Sequence, residues 1–468
     1  RVGAEGLRLS HAPGAVPGQT GIASLIDSIA DTKAHSDIWR FSRSRTNDQS
    51  EQPGAMVAGR LLSHVAEDGK IITGDAAELE PALRPHFSLS AVLSMFIAEC
   101  FLHAMTQISE PDSISRSGQL RTLKRILITC PPSSTNDERE QLKVRVEQAL
   151  DQIWSALGWN KEGALTPHRP EVALSIDTAL SSQIVYLHEE IQQRFSGGIR
   201  QFVSLVGRSG FERRNGMPAG LRVAALDLAS RATTLCVVNY TVGSEGSLTP
   251  SIEVADRTAV AGDSLPEAII NAHILPSIAS ALDAAGHSDG AALLVRALES
   301  SQQEQEKPSR HFSAGFMRKV LIPAATALID LNEAAPGKRQ SAFGRRVTLG
   351  HLVRAGDGRM APLDSKFEAL AAADANELSQ TISQHFAETL ARASDACRAL
   401  RADLVLLSGR YADLSEVYEL VEMSLPLSPH RIINMNERID GAAFSGRSTR
   451  MRSTVDPRLA MLVGAATC

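Results

Sequence analysis

The chain has 468 residues, 43% of them hydrophobic and 22% charged, with a formal net charge of −5. That is enough polypeptide for two or three domains with substantial cores, in an ordinary globular balance. Nothing in this bulk charge points to nucleic acid or an anionic membrane, and an aromatic content of 4% argues against a stacking platform for single strands.

Five cysteines, Cys100, Cys130, Cys236, Cys397 and Cys468, form no CxxC pair and sit mostly in apolar patterns. They read as buried reduced thiols rather than as a disulfide framework or a zinc site. No apolar run reaches the ~18 residues of a membrane span. The opening RVGAEGLRLSHAPG lacks the apolar stretch of a signal peptide. With Arg rather than Met first, the chain reads as a fragment of something longer.

Residues 1–55 are rich in Gly, Ser, Arg and Asp and read as a loosely structured N-terminal segment. Ser88–Ile108 (SLSAVLSMFIAECFLHAMTQI) is apolar nearly all round, which predicts a buried helix. LKRILITC, Leu123 to Cys130, is a run of β-branched and apolar residues, the pattern of a buried strand, and PPSST stops it. The next helix opens on a capping box, Thr135 with Glu138 three residues on, and closes at Gly158. EVALSIDTALSSQIVYLHEEIQQRF then runs from an acid-containing turn into another helix. The Gly/Arg-rich stretch Gly207–Gly220 marks a domain boundary.

Three strands follow, RVAALDL, TTLCVVNYTV and SIEVADRTAV. The turn-rich GSEGSLTP joins the last two, which predicts an antiparallel meander. A long helix begins after Asp263, a natural N-cap. Two further helical segments lead to ADLVLLSGRYADLSEVYELV, read as buried strand, Gly turn and helix, and DPRLAMLVGAATC closes the chain as a small-residue helix. The expected division is an N-terminal segment (1–55), a partial lobe I (56–216), a lobe II (217–452) and a C-terminal helix returning to lobe I (453–468).

The chemistry centres on residues 222–240, strand, turn and strand. The first strand ends on Asp227 and the second opens with Thr233 and Thr234. An acid at a strand end facing a small-residue turn is a common way to hold a nucleotide phosphate. Backbone N–H groups bind the oxygens, the acid holds Mg²⁺ through water, and glycines let the backbone turn and approach closely.

With its neighbours, this stretch resembles the actin/Hsp70/sugar-kinase ATPase superfamily. RILITCPPSSTNDERE, SIDTALSSQIVYL, VAGDSLPEAI, LLSGRYADLSEV and VDPRLAMLVGAA are similar to that superfamily's segments, in the right order. The resemblance implies an α/β protein of two actin-like lobes (a duplicated RNase H-like fold) with mixed sheets and covering helices. ATP and Mg²⁺ would lie between the lobes. It implies Asp227 as catalytic acid and metal holder, and Asp177 as the connecting motif's acid in place of the usual Glu. It implies Thr233, Thr234 and Arg231 at the phosphates. Gly262 and Asp263 match the following helix start, and Gly409 with Arg410 the adenosine motif.

Departures from the pattern are as informative. Set ungapped on Asp-x-Gly-Gly-Gly-Thr-Thr-Asp, the chain has Ala229, Ser230 and Arg231 for all three glycines, Ala232 for the first Thr and Thr234 for the closing acid. Forcing three non-Gly residues into glycine conformations costs about 1 kcal/mol or more each, so the turn is expected to have changed shape. No strand-Asp-x-Gly motif precedes residue 120. Asp177 serves at least as well as a plain helix cap, and a cap alone is the commoner role for an acid placed like Asp263. An eroded site predicts no cofactor; a working one predicts ATP with Mg²⁺.

Over the whole length, GAEGLRL…TGIASLIDS, AECFLHAMTQI, RTLKRILITCPP, IVYLHEEI, LSGR with PHRI, and VDPRLAMLVGAATC resemble the bacterial SrfB virulence-factor family, more specifically the C-terminal half of its longer chains. That resemblance implies a virulence-associated protein of the bacterial cytoplasm that works through protein partners. It leaves the oligomeric state open. Other chemistries find no support: there is no GxxxxGK[ST], no GxGxxG after a strand and no GxSxG, and His188 lacks the second His of HExxH.

Overall fold

The computed structural model describes residues 29–35, 64–72, 87–108, 123–130, 134–160, 167–174, 177–207, 220–229, 232–244, 246–258, 264–284, 317, 321–333, 375–425 and 427–438. The N-terminal segment before residue 29, the closing helix, Cys468 and three candidate site residues, Arg231, Gly262 and Asp263, lie outside them. The chain is mixed α/β and divides into two compact units between Ser175 and Ile176, with Thr129–Ser133 going to the second.

In the first unit, β1 (Ala34–His35) pairs antiparallel with β2 (Phe87–Ser88), and α1 (Leu89–Ile108) follows at once. β3 (Arg125–Ile128) and β4 (Glu171–Leu174) form a parallel pair joined through α2 (Asn136–Ala156). The predicted capping box is present: the Thr135 hydroxyl accepts from Glu138 N–H at 3.2 Å, and Glu138 Oε2 accepts from Thr135 N–H at 2.8 Å. Two orphan donors of the first turn are thereby satisfied. Gly158, at φ +71°, lies just past the helix end, where a left-handed residue stops an α-helix.

Two expectations for this unit need correction. α1 is not buried all round: one side packs on α2 through Ala98, Ala149 and Ile153, while Phe96 and Leu102 are 41% and 37% exposed. It is the one helix among the described residues long and apolar enough to cross a membrane, and 28% of its apolar window is buried. β3 is not a fully buried strand either. Only Ile128 of its four residues is buried, and among the described residues the cover on this parallel pair is the α2 core, against which Ile126 and Val172 pack.

The second unit is built on a five-stranded sheet in the order β7-β6-β5-β8-β9. β5 (Gly220–Leu228), β6 (Thr233–Val242) and β7 (Leu248–Thr258) form the predicted antiparallel meander. β8 (Leu404–Ser408) runs parallel to β5, and β9 (Ile432–Asn434) parallel to β8, reached through α9 (Ser415–Ser424). The β8–α9–β9 crossover therefore repeats the arrangement of β3–α2–β4 in the first unit.

β5 reads as a nearly continuous apolar run because both its faces are covered. Leu221, Val223 and Ala225 face α3 (Thr178–Arg194) and α4 (Ile199–Val206). Ala224, Leu226 and Leu228 face a cluster that includes Ile269 of α5 (Ser264–Ile269), Ile329 of α7 (Ile322–Glu333), and Ile382 and Phe386 of α8 (Ala375–Ala399). A π-helical turn, Ile270–Ile274, leads from α5 into α6 (Leu275–Ala284). Burial of this kind is worth about 25 cal/mol per Å² of apolar surface.

α3 belongs to this sheet rather than to the first unit for a polar reason as well as an apolar one. Gln183, wholly buried, donates from Nε2 to Val223 O at 3.4 Å and Cys236 O at 3.3 Å, and its Oε1 accepts from the Tyr240 hydroxyl at 2.8 Å. At the start of β8, buried Asp403 sets the β5–β8 register. Its Oδ2 accepts from Arg222 N–H and its own N–H donates to Arg222 O, both at 2.8 Å. Arg431 locks the same corner, donating to Asp403 O at 2.9 Å and Val206 O at 2.7 Å.

The four described thiols have the burial that the sequence leads one to expect. Cys130, Cys236 and Cys397 are buried, Cys100 is partly so, and none of the four is disulfide-bonded. Burial pushes Cys397 up to about 12; burial, with the nearby Asp177 charge second, does the same for Cys236. Because the thiolate is the reactive form, Cys236 and Cys397 are expected to resist iodoacetamide at pH 8 in the folded protein and to label rapidly in denaturant. Mass mapping of the modified peptides checks this.

Candidate functional site

The register fixed by Asp403 at one end of the β5–β8 pair determines what meets at the other. Asp227 lies opposite Thr234 on its antiparallel side and opposite Ser408 on its parallel side. Directly paired residues share a face of the sheet, so acid and hydroxyl come together at the carboxyl ends of the parallel strands. That is where open α/β sheets offer their ligand crevices. Ser408 Oγ donates to Asp227 Oδ1 at 3.0 Å. Burial pushes the Asp227 carboxyl above the usual carboxylate range, and the Ser408 hydrogen bond opposes this without cancelling it.

Gly409 closes the arrangement. Its φ is +97°, and a Cβ built on it would lie 2.5 Å from Leu228 O and 2.8 Å from Asp227 Oδ1. Only glycine lets β8 leave the sheet across the end of β5. An Asn–Asp cluster then holds the turn. Asn436 Nδ2 donates to Gly409 O at 2.9 Å and to Asp413 Oδ2 at 3.0 Å. Asn434 Nδ2 donates to Asp413 Oδ1 at 3.0 Å, and Asn434 Oδ1 accepts from Asn436 N–H at 3.0 Å. Asn436 Oδ1 is buried with no hydrogen-bond partner among the described residues.

The other sequence-predicted residues are placed as follows. Thr233 and Thr234 are both buried in the first positions of β6, and Thr233 O accepts from the Thr258 hydroxyl at 3.2 Å. Asp177 is buried at the N-cap position of α3, φ −61° and ψ 148°, and among the described residues its side chain caps no N–H of the helix. Its carbonyl accepts from Ser181 N–H at 2.9 Å and Ser181 Oγ at 3.0 Å. Arg410 is exposed, its guanidinium 5.3 Å from the Tyr411 ring centroid. Ser408, Asp413, Asn434 and Asn436 were missed. Their roles depend on pairing across long stretches of chain, and the only local signal was the Asn-Met-Asn run after a strand.

Chemically, Asp227 and Gly409 meet at the strand ends, and the described atoms there favour a hydrogen-bonded, neutral acid over a metal ligand. The acid gives one oxygen to Ser408, and its desolvation disfavours the charged form that a hydrated Mg²⁺ needs. Among the described residues no cluster of three or more His, Cys, Asp or Glu could hold a metal ion.

An acid with a raised folded pKa contributes its full stability below its unfolded pKa and loses it as pH rises through the folded value. Ionised Asp227 is therefore a burden on the fold at neutral pH. Asp227→Asn, whose amide oxygen still accepts from Ser408, is expected to melt higher than the wild type at pH 7 and to lose that advantage toward pH 4. Melting curves across this range test it.

The family model described as Virulence factor SrfB matches residues 1–468. No curated protein matches the chain.

Proposed function

Because the chain belongs to the SrfB virulence-factor family, we propose that it is a virulence-associated structural or interaction component on an actin-like ATPase fold whose phosphate turn no longer serves a nucleotide. The strand order supports the fold. In the second unit, three antiparallel strands are followed by two that add in parallel to the first of them, with helices on both faces. The first unit carries the same parallel βαβ element, consistent with a duplicated architecture. In this reading the chain corresponds to the C-terminal half of a longer family member acting in the bacterial cytoplasm, and its ligands are protein partners.

The observation that carries the loss of nucleotide function is the inward commitment of Asp227 to Ser408 beneath Gly409, next to a turn without glycine. The rival reading is an active Mg-ATP-dependent ATPase. It draws on one specific observation, the retention of a desolvated acid and a positive-φ glycine at the carboxyl ends of parallel strands. Phosphate release from Mg-ATP separates the two. The proposal expects wild type and Asp227→Ala to be indistinguishable from buffer. Turnover by the wild type that Asp227→Ala abolishes would establish the rival.

A further inference from the structure

We draw no further inference here: the strongest candidate, the edge of β3 in the first unit's parallel pair, which pairs only with β4 among the described residues and leaves Leu127 37% exposed, carries nothing because no feature of the described residues shows what covers it.

Discussion

Replacing Gly409 with alanine is expected to destabilise the second unit by about 2–4 kcal/mol, since positive-φ strain and a backbone collision fall on one atom. At φ +97° an L-residue is strained even in open space, and here the space is filled. The new Cβ would stand 2.5 Å from Leu228 O and 2.6 Å from Leu228 C. Neither atom is the end of a flexible side chain, so relief requires β8 to shift against β5. That shift would pull apart the Ser408–Asp227 hydrogen bond and the Asn436 donation to Gly409 O. Urea unfolding followed by circular dichroism reads the loss. Gly243→Ala is the comparison: that glycine is not in the left-handed region, and its nearest obstacle is the Ser247 hydroxyl at 2.9 Å, so it should cost much less. Equal losses would mean that the Gly409 turn is not the constrained element described above.

Gln183→Ala should cost a similar amount, about 2–4 kcal/mol, for a different reason: it combines a cavity with the loss of buried hydrogen bonds. The side chain is wholly buried between α3 and the sheet and makes three hydrogen bonds there. Removing it takes away the acceptor of the Tyr240 hydroxyl. Tyr240→Phe alone withdraws the donor to Gln183 Oε1 and should cost roughly 1–3 kcal/mol. Because the two side chains share one bond, the double variant should lose less than the sum of the singles. Strict additivity would show that the Tyr240–Gln183 hydrogen bond contributes nothing to the hold of α3 on the sheet.

Much of this fold can be read locally. The Thr135–Glu138 capping box lies within four residues of chain, and backbone and side chain satisfy it where the sequence indicates. The β5–β6–β7 meander follows from three consecutive strand patterns separated by turn residues, and needs no distant information. α1 misleads because composition does not say which side of an apolar helix finds a partner; Phe96 and Leu102 look no different from Ala98 in the sequence. The boundary near residue 217 follows a Gly/Arg-rich stretch, whereas the compact units divide before α3. Gln183, a polar residue in an amphipathic helix, gives no hint that its partners are Val223, Cys236 and Tyr240.

The candidate site is legible in outline and illegible in its consequence. Asp227 and Gly409 stand out as acid and glycine at strand ends. Their meeting depends on a parallel register between strands 181 residues apart, counted from Asp227 to Ser408. No local pattern states that register; the distant contacts of Asp403 with Arg222 set it. In the sequence the stretch after Asp227 shows only that glycine is lacking, and the Ser408 hydrogen bond that holds the acid is invisible there.

Thermal melting of the purified protein with and without about 1 mM Mg-ATP tells an intact nucleotide site from a lost one. A ligand at roughly 100 times its dissociation constant stabilises the folded state by about 2.7 kcal/mol, so a working site of ordinary affinity would show clearly. With Asp227 committed to Ser408, the melting temperature should not move, and Asp227→Ala should behave alike with and without the nucleotide. A clear upward shift that Asp227→Ala removes would contradict the account and make this a nucleotide-binding member of its family.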